Sequence, residues 1–235
     1  MYRFECGMGV VYIGGVTVKQ KYSHILWDWN GTLFDDVDWC IACMNVMLAK
    51  RKLPLIQDVS AYYDVFCFPV LQYYANVGFD FQKEPFEKLA KEYIKLYHSR
   101  GSENCELHRN VKNVLAEVYK RGITQSVVSA SEISILHAQM KRFNIDWYFD
   151  EILGLSDVYA NSKVAIGLDY MTRKNITNAL LVGDSVHDYE VATALGVDCV
   201  LIPSGHQSRD SLLRNGVPVL DDIACVISYM DNPAA

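Results

Sequence analysis

Long apolar runs are the first thing this sequence lacks. No stretch of its 235 residues approaches the roughly 20 consecutive apolar residues that a membrane-spanning helix requires. A basic stripe is missing too: the formal net charge is −6. Duplex nucleic acid and anionic membrane are therefore poor partners for its surface. An anionic small substrate would need local help from a metal or a few placed cations. The cysteines show no framework. Cys6, Cys40, Cys43, Cys67, Cys105, Cys199 and Cys225 are odd in number and scattered in spacing, which predicts reduced thiols in a cytosolic protein. Cys40 and Cys43 form the one close pair, and no second pair completes a tetrahedral metal site. Their neighbours Trp39, Ile41, Met44 and Met47 mark them as small residues on the inside of a helix. The N-terminus carries no signal-peptide pattern. Its apolar stretch is short and glycine-rich, Glu5 sits where a basic region belongs, and no small-residue cleavage site follows. Residues 1–21 read instead as an extension, with a short β-hairpin turning at Gly14-Gly15. There are no internal repeats and no low-complexity segments.

What is present is ample material for a core. Apolar residues make up 51% of the chain, well away from a disordered composition. The length fits one large domain, or one domain holding a smaller inserted one. The apolar run His24 to Trp29 predicts a strand ending in the polar turn Asp28-Trp29-Asn30-Gly31-Thr32. From Asp36 to about Arg100 the pattern turns helical, with Val37, Cys40, Ile41, Met44, Met47 and Leu48 at three- and four-residue spacing. Aromatics crowd residues 61–97, among them Tyr62, Tyr63, Phe66, Tyr73 and Tyr74, and most should pack helices. Strands and helices then alternate. Helices are expected at Val111–Lys120, Glu132–Phe143, Lys163–Arg173, Tyr189–Leu195 and Asp222–Met230. Strands are expected at Ile123–Val128, Phe149–Leu153, Ala179–Val182 and Val197–Ile202. Such alternation predicts an α/β fold, a doubly wound parallel sheet with helices on both faces. Residues 22–35 and 106–235 form this core, and residues 36–105 interrupt it as a helical insertion.

Four polar groups fall at or just beyond predicted strand ends. They are Asp28-Trp29-Asn30-Gly31-Thr32, then Ser129, then Lys163 ahead of its helix, then Gly183-Asp184-Ser185-Val186-His187-Asp188. In a parallel sheet the carboxyl ends of strands face one crevice, so these groups can converge. Asp28, Asp184 and Asp188 bring three negative charges and Lys163 offsets one. A site of net charge −2 repels a phosphate dianion, and a divalent cation brings the sum to zero.

In order and spacing the four motifs resemble those of the haloacid dehalogenase superfamily, over roughly residues 22–230. The helical insertion after the first motif resembles the cap of the phosphoglycolate phosphatase-like branch. The resemblance implies a Rossmann-like core and a Mg²⁺-dependent phosphatase that forms an aspartyl-phosphate on Asp28. It implies Mg²⁺ ligands from the Asp28 carboxylate, the backbone carbonyl of Asn30 and the Asp184 carboxylate, with Asp188 behind them or reaching the ion through water. Ser129, with the neighbouring groups of Gly31, Thr32 and Ala130, would hold phosphoryl oxygens, and Lys163 would neutralise charge on the transferring group. Thr32 would also steady the loop. A small phosphorylated metabolite is the implied partner. The dehalogenase branch needs no metal and would not require the second carboxylate motif. The phosphonatase branch needs a cap lysine for a Schiff base, and none here matches.

One position departs from the pattern. Where the family's phosphatases carry a second Asp, which protonates the leaving oxygen and later activates water, this chain has Asn30. An amide transfers no proton at a useful pKa, and general acid–base catalysis is typically worth about 10²–10⁴ in rate. The expectation is a preference for good leaving groups such as acyl, aryl or pyrophosphate-type substrates. A low-turnover phosphate-binding protein and a phosphotransferase are the alternatives. Among the remaining polar residues, Asp35 and Asp36 are expected to cap the first inserted helix and His187 to pack or hydrogen-bond; His206 follows a strand and could face the crevice and supply the missing proton, but a loop role is the expectation.

Overall fold

The computed structural model describes residues 10–13, 16–19, 21–98, 103–155 and 162–232. Its centre is a five-stranded sheet in the order β7-β6-β3-β8-β9, built from β3 (His24–Trp27), β6 (Thr124–Glu132), β7 (Glu151–Leu155), β8 (Ala179–Gly183) and β9 (Asp198–Leu201). Every pairing is parallel, with His24 opposite Thr124 on one side and Ala179 on the other. Parallel strands buried on both faces read as unbroken apolar runs. That is the character of His-Ile-Leu-Trp in β3 and of Ala-Leu-Leu-Val-Gly in β8. Alternate residues feed opposite faces. Ile25 and Trp27 join one core with α5 (Val111–Lys120), α6 (Ile133–Phe143) and α10 (Cys225–Asp231). Leu26 joins the other with α7 (Lys163–Lys174), α8 (Val186–Leu195) and α9 (Arg209–Leu213). The doubly wound parallel sheet expected from the alternation is therefore what the chain forms.

The chain leaves this sheet through β4 (Phe34–Asp35) and returns through β5 (Glu106–Leu107), and these two pair antiparallel. Between them lie α1 (Val37–Lys50), α2 (Val59–Val65), α3 (Val70–Asn76) and α4 (Phe86–Tyr97), around a separate core of Met44, Met47, Tyr62, Tyr73, Tyr74 and Leu89. Near the N-terminus, β1 (Val10–Ile13) and β2 (Val16–Lys19) pair antiparallel with Ile13 opposite Val16. The hairpin is as expected, while its turn at Gly14-Gly15 lies outside the described residues.

Several details differ from the sequence reading: α8 starts three residues before and α10 three residues after the expected positions, and Asp35 lies in β4 rather than at a helix cap. Strand β6 runs on through Ser129 to Glu132 instead of ending at Ser129. The register shifts between Val128 and Glu132, and such a bulge re-aims side chains beside a site. The five-residue α9 was not expected, since one turn and a half carries no readable periodicity. Asp36 stands at the N-cap of α1 but makes no side-chain capping bond. Its carboxylate is engaged elsewhere, as described next.

Candidate active site

Strand β3 lies at the middle of the sheet with β6 and β8 on either side, so a crevice opens beyond its carboxyl end. The chain turns sharply there. The Trp29 carbonyl accepts hydrogen bonds from the amides of Thr32, Leu33 and Phe34 at 3.3, 3.0 and 2.9 Å. Trp29 stacks on Phe34, ring centroids 5.2 Å apart, which anchors the turn in the core. Gly31 adopts φ +75°, and a Cβ there would meet Asp184 Oδ2 at 2.5 Å. Only glycine allows both the left-handed backbone and that close approach.

The predicted site residues come together at this edge. Lys163 Nζ donates to Asp28 Oδ1 at 2.6 Å and to Asp188 Oδ1 at 2.5 Å. Thr32 Oγ1 lies 3.3 Å from Asp28 Oδ2 and 3.2 Å from Asp184 Oδ1. Asp188 Oδ2 accepts from the amides of Asp184 and Ser185 and from the Ser185 hydroxyl. Both Asp188 oxygens are thus taken by protein donors, and that side chain holds the Asp184 loop and Lys163 in place. Ser129 is buried in the β6 bulge, where its Oγ accepts from the Ser131 amide at 3.1 Å, and Ala130 beside it is exposed. The Asn30 carbonyl accepts none of the backbone hydrogen bonds of the turn. His187 faces Glu190 at 3.3 Å and stacks on Phe68, the packing and hydrogen-bonding role expected.

A second layer was not read from the sequence. Asp36, expected to cap α1, is 1% exposed and gathers five donors. Its Oδ2 accepts from Asn30 Nδ2 at 2.8 Å, the Tyr97 hydroxyl at 2.6 Å and Cys40 Sγ at 3.5 Å. Its Oδ1 accepts from the Gly31 amide at 3.1 Å and faces His206 Nε2 at 3.5 Å. His206, for which a loop role was favoured over one facing the crevice, donates its amide to Asp184 Oδ2 at 2.6 Å, and its Nδ1 meets the Tyr62 hydroxyl at 2.9 Å. The Asn30 side chain is fully used. Its Nδ2 also reaches the Tyr97 hydroxyl at 2.7 Å, and its Oδ1 accepts from the Ser131 hydroxyl at 2.6 Å. No local pattern marks Tyr97, Ser131 or His206, because each reaches the site from a distant part of the chain.

Electrostatics set the character of the crevice. Burial pushes the Asp28 carboxyl up to about 6, with Lys163 opposing and Asp188 adding to the rise. Burial pushes Asp184 up to about 8, with His206 opposing and Asp188 and Asp28 adding. Asp188 and Asp36 resist burial and stay below the ordinary carboxylate range, the first through Lys163 and Ser185, the second through His206, Tyr97 and Asn30. Lys163 is held above its usual value against burial by Asp188 and Asp28. His206, also against burial, is raised to about 9 by Asp36, Asp184 and Asp28. At neutral pH the Asp36–His206 pair is internally neutral, Asp28 is ionised, and Asp184, raised to about 8, gives up its proton fully only when a cation faces it. These two strained carboxylates are hard oxygen donors, and with the Asn30 carbonyl they fit a divalent cation such as Mg²⁺. Asp28, Asp184 and Asp188 bring carboxylate oxygens within 4.8 Å of one another.

A parallel sheet interrupted after its first strand by helices, with an aspartate at the end of that strand and a lysine and two aspartates at the same edge, defines a class. Residues 25–202 match the haloacid dehalogenase-like hydrolase family, and the chain belongs to it. Among individual relatives, a protein provisionally named pyrophosphatase PpaX from Caldanaerobacter subterraneus subsp. tengcongensis is 30% identical over 77% of this chain and 82% of its own length. The phosphoglycolate phosphatase of Aliivibrio fischeri is 23% identical, over 87% of this chain and 91% of its own. In fold, the chain is similar to a haloacid dehalogenase-like hydrolase from Streptococcus pneumoniae, with a TM-score of 0.76 at 18% identity over 89% and 98% of the two chains. It is similar also to protein tyrosine kinase A of Mycobacterium tuberculosis, with a TM-score of 0.75 at 21% identity over 89% and 98%.

Proposed function

We propose that this protein is a magnesium-dependent phosphatase of small phosphorylated metabolites that works through an aspartyl-phosphate on Asp28. The observation that carries the reading is the buried contact of Asp28 and Asp188 with one lysine, Lys163, beside Asp184, at the carboxyl end of the central strand. Asp28 and Asp184, with the Asn30 carbonyl, would hold Mg²⁺, which supplies positive charge that offsets the phosphate dianion. The Asp28 carboxylate attacks phosphorus, the bond from phosphorus to the leaving oxygen breaks, and the leaving oxygen keeps the electron pair. Water then attacks phosphorus, the bond to the Asp28 oxygen breaks, and inorganic phosphate leaves. Lys163 holds Asp28 oriented and offsets charge on the phosphoryl group. Ser129 and the amides near Gly31 and Ala130 would receive phosphoryl oxygens. Helices α1–α4 would act as a cap over the crevice, covering residues 36–105. Their contacts from Tyr62 and Phe66 to His206 support that role.

Asn30 donates no proton, so the leaving oxygen must depart largely unaided. This favours pyrophosphate-type, acyl and aryl phosphates, and the pyrophosphatase name of the 30%-identical relative agrees with that preference. The test is Mg²⁺-dependent phosphate release by the purified chain from pyrophosphate, acetyl phosphate, p-nitrophenyl phosphate and a set of sugar and alkyl phosphates. Fastest release from the first three is expected. Release favouring alkyl phosphates would refute the leaving-group preference, and no release from any substrate would refute the enzyme. A second reading, phosphotransfer from a long-lived aspartyl-phosphate, is supported by Asn30 and by the likeness to a protein named as a tyrosine kinase. Stable labelling of Asp28 with release only on adding an acceptor would favour it.

A further inference from the structure

The described residues contain a second group of metal-ligating side chains, and the phosphatase reading does not use it. Asp36, Cys40 and His206 bring a carboxylate oxygen, Sγ and an imidazole nitrogen within 4.8 Å of one another. They come from the start of α1, its first turn and the loop after β9. We propose that Asp36, Cys40 and His206 form a binding site for a soft divalent cation of the zinc class, distinct from the all-oxygen donor set of Asp28, Asp184 and Asn30.

Three features of the geometry carry this. The first is spacing. Zinc bonds of about 2.0 Å to oxygen, 2.0–2.1 Å to nitrogen and 2.3 Å to sulfur place tetrahedral ligand atoms roughly 3.3–3.6 Å apart. The two Asp36 oxygens each face one of the other ligands near this spacing, Oδ1 at 3.5 Å from His206 Nε2 and Oδ2 at 3.5 Å from Cys40 Sγ, as a carboxylate straddling the ion would. The second is proton and charge balance. The Cys40 thiol donates to the Asp36 carboxylate, and His206 Nε2 faces its other oxygen as the imidazolium partner of an ion pair. A divalent ion replaces the thiol proton and the Nε2 proton, leaving a thiolate, a neutral imidazole and the carboxylate around it, so the local charge does not change. The other donors to Asp36, namely Asn30, Tyr97 and the Gly31 amide, keep their places. The third is orientation. A histidine that ligates through one nitrogen normally gives its other N–H to a fixed partner. Here the Tyr62 hydroxyl stands 2.9 Å from Nδ1. The donor set mixes sulfur, nitrogen and oxygen, which selects zinc or cobalt over magnesium. Occupancy would tie α1 to the loop whose His206 amide holds Asp184, so the ion is expected to inhibit any magnesium-dependent turnover.

Titration of the metal-free full chain with Co²⁺ tests the site without an activity readout. A near-ultraviolet sulfur-to-cobalt charge-transfer band at one ion per chain is expected, and Zn²⁺ should bleach it. Cys40→Ser should lose the band. Asp28→Asn should keep it, which separates this site from the proposed magnesium site. Tyr62→Phe should keep the band but weaken cobalt affinity about tenfold, the loss typical when a ligating histidine's partner is removed. Absence of a band in the wild type, or the same band in Cys40→Ser, would overturn the proposal. Equal affinity in Tyr62→Phe would overturn the role given to that hydroxyl. Circular dichroism of Cys40→Ser guards against loss of the band through misfolding. If that variant is unfolded, His206→Ala, in which the band should also vanish, decides the question.

Discussion

The sheet and the inserted helices are packed from different materials. The sheet interior is mainly aliphatic: Ile25, Leu26, Val127, Val128, Leu180, Val182, Val200 and Leu201 are each fully buried, and Trp27 is the one buried ring its central strand contributes. The insertion is packed with rings. Tyr62 meets Phe66 and Tyr73 at 5.0 and 5.9 Å, and Tyr74 meets Phe79 and Phe86 at 5.4 and 5.3 Å. The site belongs to the first region. Asp28, Ser129 and Asp184 sit on or at the ends of strands joined by a backbone ladder, which fixes them relative to one another whatever packs above. The two short helices α2 and α3, seven residues each, have little ladder of their own and depend on ring contacts. Chemistry and stability should therefore separate by region, and substitutions can test this.

The largest effect should come from the sheet edge. Asp28→Asn removes the nucleophile, and phosphate release should fall on the order of 10⁴–10⁶-fold, the scale seen when a covalent catalyst loses its nucleophile. The melting temperature should barely move, because Lys163 keeps Asp188 as a partner. Phosphate release and thermal melts on the same preparation check this. A fall in activity matched by unfolding would erase the distinction between the regions.

The converse substitution is Tyr74→Ala. This ring is 3% exposed and touches Tyr73, Phe79, Phe86 and Tyr93. Its removal should cost about 3–5 kcal/mol, as for other large buried aromatics. Turnover of a small substrate such as acetyl phosphate, per folded molecule, should hold. Urea denaturation measures the first quantity and initial rates the second.

How far the sequence foretold this arrangement follows from where information resides in a chain. The strands were legible because a doubly buried strand must be apolar throughout, as β3 and β8 are. Asp28 and Asp184 were legible because each follows such a run, and Lys163 because it opens a helix in the matching order. Asp36 was misread as a helix cap, since an aspartate just before a helix carries the same local signature whether or not it caps. His206 was misread as a loop residue for a similar reason. It lies 170 positions from Asp36, and only the folded sheet brings the two together. Tyr97 and Ser131, which complete the surroundings of Asn30, looked like ordinary helix and strand-end residues.

Residue 30 sits among these groups, so a change there acts on all of them. In Asn30→Asp a carboxyl would replace the amide whose Nδ2 lies 2.8 Å from Asp36 Oδ2. Two carboxylates so close cannot both ionise, so a proton is retained between them. A carboxylic acid beside the leaving group can assist alkoxide departure. Turnover of alkyl phosphates should rise about 10²-fold, the low end for general acid catalysis, because the new side chain still serves Tyr97 and Ser131. Turnover of p-nitrophenyl phosphate should change much less. Equal gains on both substrates would show that residue 30 acts on something other than the leaving group. The Asn30-Gly31 peptide should be checked by mass spectrometry in the same preparation, since deamidation there would create aspartate without mutation.

The smallest effect belongs to the surface of the insertion. Arg51, at the end of α1, donates Nε to Glu84 Oε2 at 2.5 Å and Nη2 to Glu92 Oε2 at 2.7 Å. Arg51, followed by Lys88, holds the Glu84 carboxyl down at about 2. A carboxyl depressed in the folded state contributes stability that is complete above its unfolded value, near 4.3, and is lost as pH falls through the folded one. Glu84→Gln should therefore lower the melting temperature slightly at pH 6. The gap from wild type should narrow below pH 4 and close towards pH 2. Because the pair is solvated, 1 M NaCl at pH 6 should shrink the same gap. A gap that persisted at low pH and high salt would mean that Glu84 contributes through packing, and that the insertion depends on more than its rings and this ion pair.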